Sequence, residues 1–389
     1  MTRATPLGRQ VAIAGVHLTK QARSLPDRSS FDVCHEAVTG ALADAGLTAA
    51  DVDGWAVDWP GPSGQPYESG SWAKFAGANA GYTTSGVADS SGVRGVLKAA
   101  AAISAGLCDV AVIGGGRAGI ASSAGMVGAD LGLEFVDLWG ATSVPRFALV
   151  ASQHMHRFGT TSEQLALVAA GIRNYGSRNA EAVMYGKGPY SVEDVLASRV
   201  VATPFHLLDI CIMAEGGAAV VLTTLERARD LKQKPVVLLG GGLEYVDAPQ
   251  VEVPIWERVG HLGAAAARRC FDTAGVTIDD VDVLNIYDPN SFEVIRQFET
   301  LGLCAEGEGG AYAQTGAFSL DGKLPTNTDG GLLSFTWLYT QQTTVKVIES
   351  VRQIRGTARN QVPGVNVAVA TNGGSATGQY ACAAFGRDS

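Results

Sequence analysis

Several side chains that can bind or move protons stand in short glycine-flanked or strand-like segments. They are Asp89 in DSSG, His206 in TPFHLLDICIMAEGG, Tyr287 in NIYDPNSF, Asn327 in LPTNTDGG, Trp337 and Tyr339 in GGLLSFTWLY, and Thr371 in ATNGGS. Their chemistry differs by type. An imidazole exchanges protons near neutral pH. A phenol has a reference pKa of about 10 and needs charge or hydrogen-bond tuning before it acts as a base. An indole offers only an N–H donor, so Trp337 can orient an oxygen but cannot be a general acid. The Thr371 hydroxyl is a hydrogen-bond partner and no proton shuttle at its normal acidity. Asp89 opens a helix predicted over Val93–Ala105, where its carboxylate either caps the helix or contacts a substrate. If Phe335–Tyr339 is extended, Trp337 and Tyr339 share a face; if it is helical, they point apart. Along NIYD, the strand period puts Val283, Asn285 and Tyr287 on one face and Asp288 on the other.

Metal and dinucleotide chemistry have weaker signals. His154 and His156, two apart in ASQHMHRFG, diverge on a helix and fail as a metal pair, so they read as surface or interface residues. The six cysteines are scattered, with no CxxC and no histidine at ligand spacing, so they read as packing thiols rather than a zinc site or disulfide framework. No metal site is expected. The glycine run Gly114–Ile120 (GGGRAGI) lacks the acidic residue that a dinucleotide fingerprint places on a second strand. It reads as a strand end where glycines let chains approach closely.

An internal repeat supplies the frame for these residues. ALADAGLTAADVDGWAVD from Ala41 aligns with CFDTAGVTIDDVDVLNIYD from Cys270, pairing Gly46 with Gly275, Val52 with Val281 and Asp53 with Asp282. Each copy carries an Ala-rich amphipathic helix, a glycine past its end, an acidic turn and a strand-length apolar run. A second echo links CDVAVIGGG from Cys108 to VNVAVATNGG from Val365. Two βαβ-rich halves in one chain imply duplication and an α/β fold with sheets covered on both faces. The boundary is expected where a charged helix, Leu225–Lys234, gives way to a strand at Pro235. That makes the halves 1–234 and 235–389, with about 117–204 as an insertion over the site.

Composition narrows the function classes. The 389 residues are 46% hydrophobic and 7% aromatic with 49 glycines, which suits a close-packed globular protein rather than a disordered one. A net charge of −9 with no basic block argues against nucleic acid as a partner. Residues 1–15 lack the apolar run and cleavage site of a signal peptide, and no apolar run reaches membrane-spanning length, so a cytoplasmic location is expected.

The duplicated layout, together with PFHLLDICIMAEGGAAVVLTT, LGLCAEGEGG, LPTNTDGGLLS and VRQIRGTARNQVPG, resembles the thiolase superfamily over nearly the whole chain. Within it, these motifs resemble the sterol-carrier-protein-X or lipid-transfer-protein branch, which includes thiolase-like aldolases of bacterial steroid side-chain degradation. The resemblance implies a duplicated thiolase fold with a layered αβαβα core. Thiolases place a cysteine, a histidine and a second cysteine where this chain carries Asp89, Trp337 and Thr371. Aspartate forms no thioester, so ordinary thiolase activity is not expected. The aldolase-like members tend to place a tyrosine where Trp337 stands, and Tyr339 lies two residues on.

The resemblance further implies retro-aldol cleavage of a β-hydroxyacyl-CoA. Tyr287 matches the family's acid/base tyrosine, and His206 in the HLLD motif and Tyr339 are the further catalytic candidates. Trp337, Asp89, Asn327 and Thr371 are the candidates for binding substrate. No cofactor beyond the CoA thioester substrate is implied. A homodimer, joined by a small OB-fold and zinc-ribbon accessory protein, is implied as the assembly, with Thr83–Ala88 pairing across the dimer. The alternative is a non-catalytic acyl-CoA-binding or scaffold subunit, favoured by loss of the thiolase residues.

Overall fold

A computed structural model describes residues 10–58, 69–84, 92–119, 143–246 and 253–388. Among these, β1 (Val11–Leu18), β2 (Gly54–Val57), β3 (Tyr82–Thr83), β4 (Val110–Arg117), β7 (Gly216–Thr224), β8 (Val236–Tyr245), β9 (Val283–Asn285), β10 (Val367–Gly374) and β11 (Gln379–Arg387) form one sheet. Its order is β3-β2-β4-β7-β1-β8-β11-β10-β9. A short hairpin of β5 (Val200–Ala202) and β6 (Phe205–His206) stands apart. The order mirrors itself about β1 and β8, which share only the register pairs Ala12–Val237 and Ile13–Val236. On each side of this seam the first two pairings are antiparallel and the next is parallel.

The repeated sequence folds alike in its two copies. Helix Ser30–Ala45 ends at Gly46 (φ 78°) and helix Ala264–Ala274 at Gly275 (φ 68°), left-handed positions that glycine occupies without strain. In the turns that follow, Thr48 and Thr277 donate their backbone N–H to Asp51 and Asp280, closing one helical turn in each copy. Asp53 accepts from the N–H groups of Asp109 and Val110 as β4 begins. Asp282 does the same for Asn366 and Val367 as β10 begins.

Three apolar clusters stack the fold into layers. Helix Ser30–Ala45 covers one face of β1, β4 and β7, and helix Ala264–Ala274 covers β8 and β11. Between them lie helices Gly92–Ser104 and Thr344–Arg355, each packed against strands of both halves. The result is the αβαβα layering that the resemblance implied. Helix Thr344–Arg355 therefore has almost no solvent face, and Thr344 through Val351 are all buried. No helix among the described residues is long and apolar enough to cross a membrane.

Two local expectations are corrected. The charged helix ends at Arg229 rather than running to Lys234. Beyond it Lys232 turns away to donate its N–H to Ala45 and its ammonium to Ala43, capping the first helix, while Pro235 disfavours helical backbone at Lys234. His154 is not a surface residue. It is fully buried, with Nε2 3.1 Å from Glu299 and Nδ1 2.9 Å from the Thr160 hydroxyl, because its helix, Ser143–Phe158, packs under Trp256 and Phe292. His156, on the opposite face, is exposed as expected.

Candidate functional site

Tyr287 follows β9, where the ladder to β10 stops at Asn285. Its backbone is held from two sides. The N–H donates to the Thr371 hydroxyl at 2.9 Å, and the carbonyl accepts from the Gln297 amide at 2.6 Å. Thr371 in turn donates to Gln297 Oε1 at 2.6 Å, and the Tyr380 hydroxyl donates to the same oxygen at 3.0 Å. Gln297 thus links β9, β10 and β11 at one point.

The expected strand alternation breaks here. Tyr287 shares an apolar cluster with Leu284 and Ile286, whereas Val283 lies in the central cluster and Asn285 donates to Ser350 of helix Thr344–Arg355. Once pairing ends, the period of two no longer constrains the side chains.

The Tyr287 ring is buried in a large apolar cluster against which Cys211 and Trp337 also pack, and no described residue hydrogen-bonds its hydroxyl. Burial pushes its phenol well above the ordinary range. Cys211, Glu293 and Asp288 push it further, and the Arg94 charge opposes them. Burial also pushes the Cys211 thiol up to about 12, which leaves it neutral.

Buried ions surround this corner. Asp288 lies 2.7 Å from the Lys346 ammonium, both side chains fully buried, and accepts the N–H of Leu332 at 3.0 Å. The Lys346 contact is an ion pair whose alignment falls short of a hydrogen bond. A Cβ at Gly331 would overlap the Asp288 carboxylate, so the turn closes on Asp288 only with glycine there. Glu293 and Arg296 form a second fully buried pair, with Ser375 donating to Glu293 at 2.8 Å. Asp329 and Glu349 add two more carboxylates near Lys346. Burial, reinforced by Asp329, pushes the Glu349 carboxyl up to about 8.

Residues Gly331–Phe335 form a π-helical turn, with Phe335 and Thr336 bonding back to Gly330 and Gly331. Such turns recur at functional sites. Beyond it Thr336 is extended, and Tyr339 takes φ 53°, uncommon for a tyrosine. The segment is therefore neither a plain strand nor a helix, and the Trp337 and Tyr339 rings meet edge to face at 5.9 Å. Arg117 lies over the Tyr339 ring at 5.4 Å. Trp337 faces the Tyr287 cluster; Tyr339 lies outside it, partly exposed.

His206 caps a short turn, donating its N–H to Asp209, with its ring nitrogen 3.4 Å from the same carboxylate. Asp209 accepts from the Ser291 hydroxyl at 2.7 Å, which ties His206 to the segment just after Tyr287. Asn327 is fully buried at φ 51°, and its amide donates to the Ile286 carbonyl at 3.0 Å. Asp89 and residues 85–88 of the segment expected to pair across a dimer lie outside the described residues. The structure thus brings Tyr287, Asn327 and Thr371 to one corner, with His206 linked through Asp209 and Ser291, while Trp337 packs elsewhere against the same large apolar cluster.

Gln297, Lys346, Arg296 and Arg94 were not singled out from the sequence. SFEVIRQF does place Glu293, Arg296 and Gln297 at helical neighbour spacings, the available signal. A cleft of about 250 Å³ against helix Ser30–Ala45, lined by Trp55, Trp72 and Phe75, contains none of these residues.

Residues 261–387 match the family model described as thiolase C-terminal domain-like. The chain is 31% identical to the 17-hydroxy-3-oxo-4-pregnene-20-carboxyl-CoA lyase of Mycobacterium tuberculosis, over 94% of this chain and 97% of that protein. It is 30% identical to an acetyl-CoA acetyltransferase of Methanothermobacter thermautotrophicus, over 97% of this chain and 100% of that protein. Among solved structures, the Ltp2-ChsH2(DUF35) aldolase superposes with a TM-score of 0.85 at 29% identity, covering 98% of this chain and 99% of that one.

Proposed function

The chain belongs to the thiolase superfamily, in its sterol-carrier-protein-X and lipid-transfer-protein branch, and from that premise we propose a carbon–carbon lyase acting on β-hydroxyacyl-CoA thioesters. The substrate class is a steroid side-chain CoA thioester, cleaved by retro-aldol reaction to a ketone and a shorter acyl-CoA. The observation that carries this reading over acyl transfer is the set of replaced residues. Thr371 stands where a thiolase has a cysteine, and its hydroxyl is engaged by Tyr287 and Gln297. Trp337 stands at the histidine position and has no exchangeable proton near neutral pH. The relative named as a lyase, rather than the one named as an acetyltransferase, fits such a site.

Tyr287 is the acid/base group. As phenolate it takes the proton of the β-hydroxyl; the C–C bond breaks, its electrons enter the thioester as an enolate, and the same phenol protonates the enolate carbon. The hydroxyl proton ends on the α-carbon of the shorter acyl-CoA and Tyr287 is again a phenolate, so the reaction as written needs no cofactor. The Trp337 indole orients a substrate oxygen, and His206 and Tyr339 flank the approach. Asp89, Asn327 and Thr371 complete the proposed substrate-binding set, Asn327 and Thr371 acting by shaping the backbone that they hold.

The halves divide at 234/235, with the 117–204 insertion covering the site; helix Ser162–Arg178 packs on the π-turn, which supports that placement. The working assembly is a cytoplasmic homodimer with a small OB-fold and zinc-ribbon partner. Two observations support it: β3 lies at a sheet edge, and the solved relative is named with a second component. A second reading, a non-catalytic acyl-CoA-binding subunit, is favoured by the burial of Asn327 and Thr371.

Incubation of the chain and its partner with branched β-hydroxyacyl-CoAs, followed by mass spectrometry, separates the two. A shorter acyl-CoA with its matching ketone establishes the lyase. Tight binding without products establishes the carrier.

A further inference from the structure

Helix Ser291–Thr300 begins just past Tyr287 and carries Gln297 back to its carbonyl. Gln297 is fully buried, and its amide is bonded at every position it offers. Oε1 accepts from the Thr371 hydroxyl at 2.6 Å and from the Tyr380 hydroxyl at 3.0 Å. Nε2 donates to the carbonyls of Tyr287 at 2.6 Å and Glu293 at 3.0 Å. An amide has two lone pairs on oxygen and two hydrogens on nitrogen, so none is left over. Nor can the group turn over, because Oε1 would then face two carbonyl oxygens. Thr371 has a fixed sense as well. Its oxygen receives the Tyr287 N–H at 2.9 Å, which leaves its own hydrogen for Gln297. Tyr287, Thr371 and Gln297 therefore close a circuit of three hydrogen bonds, each with one direction.

This circuit stands where the sheet gives no support. The β9–β10 ladder ends at Asn285 opposite Ala370, so no strand pairing fixes the Tyr287 backbone. No described residue bonds the Tyr287 hydroxyl, so the far end of the side chain is not tied either. The direction of the phenol is set where the chain leaves β9. Gln297 holds both backbone groups there, the carbonyl directly and the N–H through Thr371. Loss of that amide strands a buried carbonyl and a buried hydroxyl together, and the backbone must shift to find them other partners. We propose that Gln297 is the positioning residue for Tyr287, aiming the phenol at the substrate by holding the backbone from which it projects. The proposal deepens the lyase reading and rests on it for its purpose, but not for its test.

The test installs a fluorotyrosine at position 287 and follows its fluorine NMR signal in the full chain. Gln297→Met and Thr371→Val each open the circuit and are expected to shift the signal and to broaden or split it. Thr371→Ser keeps the hydroxyl and is expected to preserve the native signal. Tyr380→Phe is the control, since it removes a donor from the same Gln297 oxygen but leaves the circuit closed. Its signal is expected to stay in place, which a general loosening of the β10–β11 hairpin would not allow. In turnover, Gln297→Met lowers kcat by about 10–100-fold, the scale of a misplacement of about 1 Å, with KM little changed. Gln297→Glu keeps the shape, and only its neutral acid can donate to the Tyr287 carbonyl. Its kcat relative to the native chain therefore rises as pH falls, which carries the test if Gln297→Met does not fold. An unmoved signal or a native kcat in folded Gln297→Met overturns the proposal, as does a Tyr380→Phe signal that moves with it. A native chain that cleaves no substrate removes the lyase reading and leaves the fluorine signals to decide on Gln297.

Discussion

The strand ends at Asp58 and at Tyr287 occupy equivalent places in the two copies of the repeat, yet they are built differently. After β2, the Asp58 N–H donates to the Gly114 carbonyl at 3.0 Å, continuing the ladder by one more bond. After β9 the matching N–H of Tyr287 meets the Thr371 hydroxyl instead, and the ladder has already stopped. Gly114 and Thr371 are themselves equivalent in the second echo. The threonine hydroxyl has taken over a backbone donor, freeing Tyr287 from strand alternation and letting its ring join the apolar cluster of Leu284 and Ile286. Asp58 remains structural. Its carboxylate accepts from Thr340 at 2.6 Å and Gln341 at 2.9 Å, fixing the segment that follows Tyr339. One frame therefore holds two differently bonded corners, and the difference is made by single residues on the neighbouring strand.

Four substitutions break or sharpen that contrast. Tyr287→Phe lowers cleavage by on the order of 10²–10⁴-fold, the usual weight of a general acid/base, while CoA-ester binding persists. Product analysis and a binding titration check this, and full activity in the variant places the base elsewhere. Lys346→Met leaves Asp288 buried without its cation and costs about 3–5 kcal/mol of stability. Denaturant unfolding measures it, and a near-neutral result means that Asp288 already holds a proton. At the structural corner, Asp58→Ala strands two buried donors and costs about 1–3 kcal/mol, with turnover little changed. A collapse of turnover at unchanged melting temperature would make that corner part of the site.

Glu349→Gln has the smallest effect, and it depends on pH. The folded carboxyl is pushed from its ordinary 4.5 up to about 8. A carboxyl raised on folding contributes stability that is fully present below its unfolded value and is lost as pH rises through its folded value. The native chain therefore loses stability between about pH 4.5 and 8, and the variant flattens that slope. Melting temperatures across this range decide it; parallel curves would mean that the Glu349 carboxyl is not the group that holds the proton.

The sequence by itself determined the repeat and much of the frame. The caps at Gly46 and Gly275 and the Thr–Asp turns are local devices, formed by residues a few positions apart, and the strands are short apolar runs. Tyr287 and Thr371 were legible for a related reason: each stands at a strand end in a recognisable motif. Gln297, Lys346 and Arg94 were not. Sequence period reports which residues of helix Thr344–Arg355 share a face and not what covers it. Only the tertiary structure presses strands of both halves against that helix, which removes its water and turns ordinary surface charges into buried ions. The same enclosure buries Arg94 against Gln379 and leaves Tyr287 without a strand to follow, since burial and pairing depend on contacts far apart in the chain.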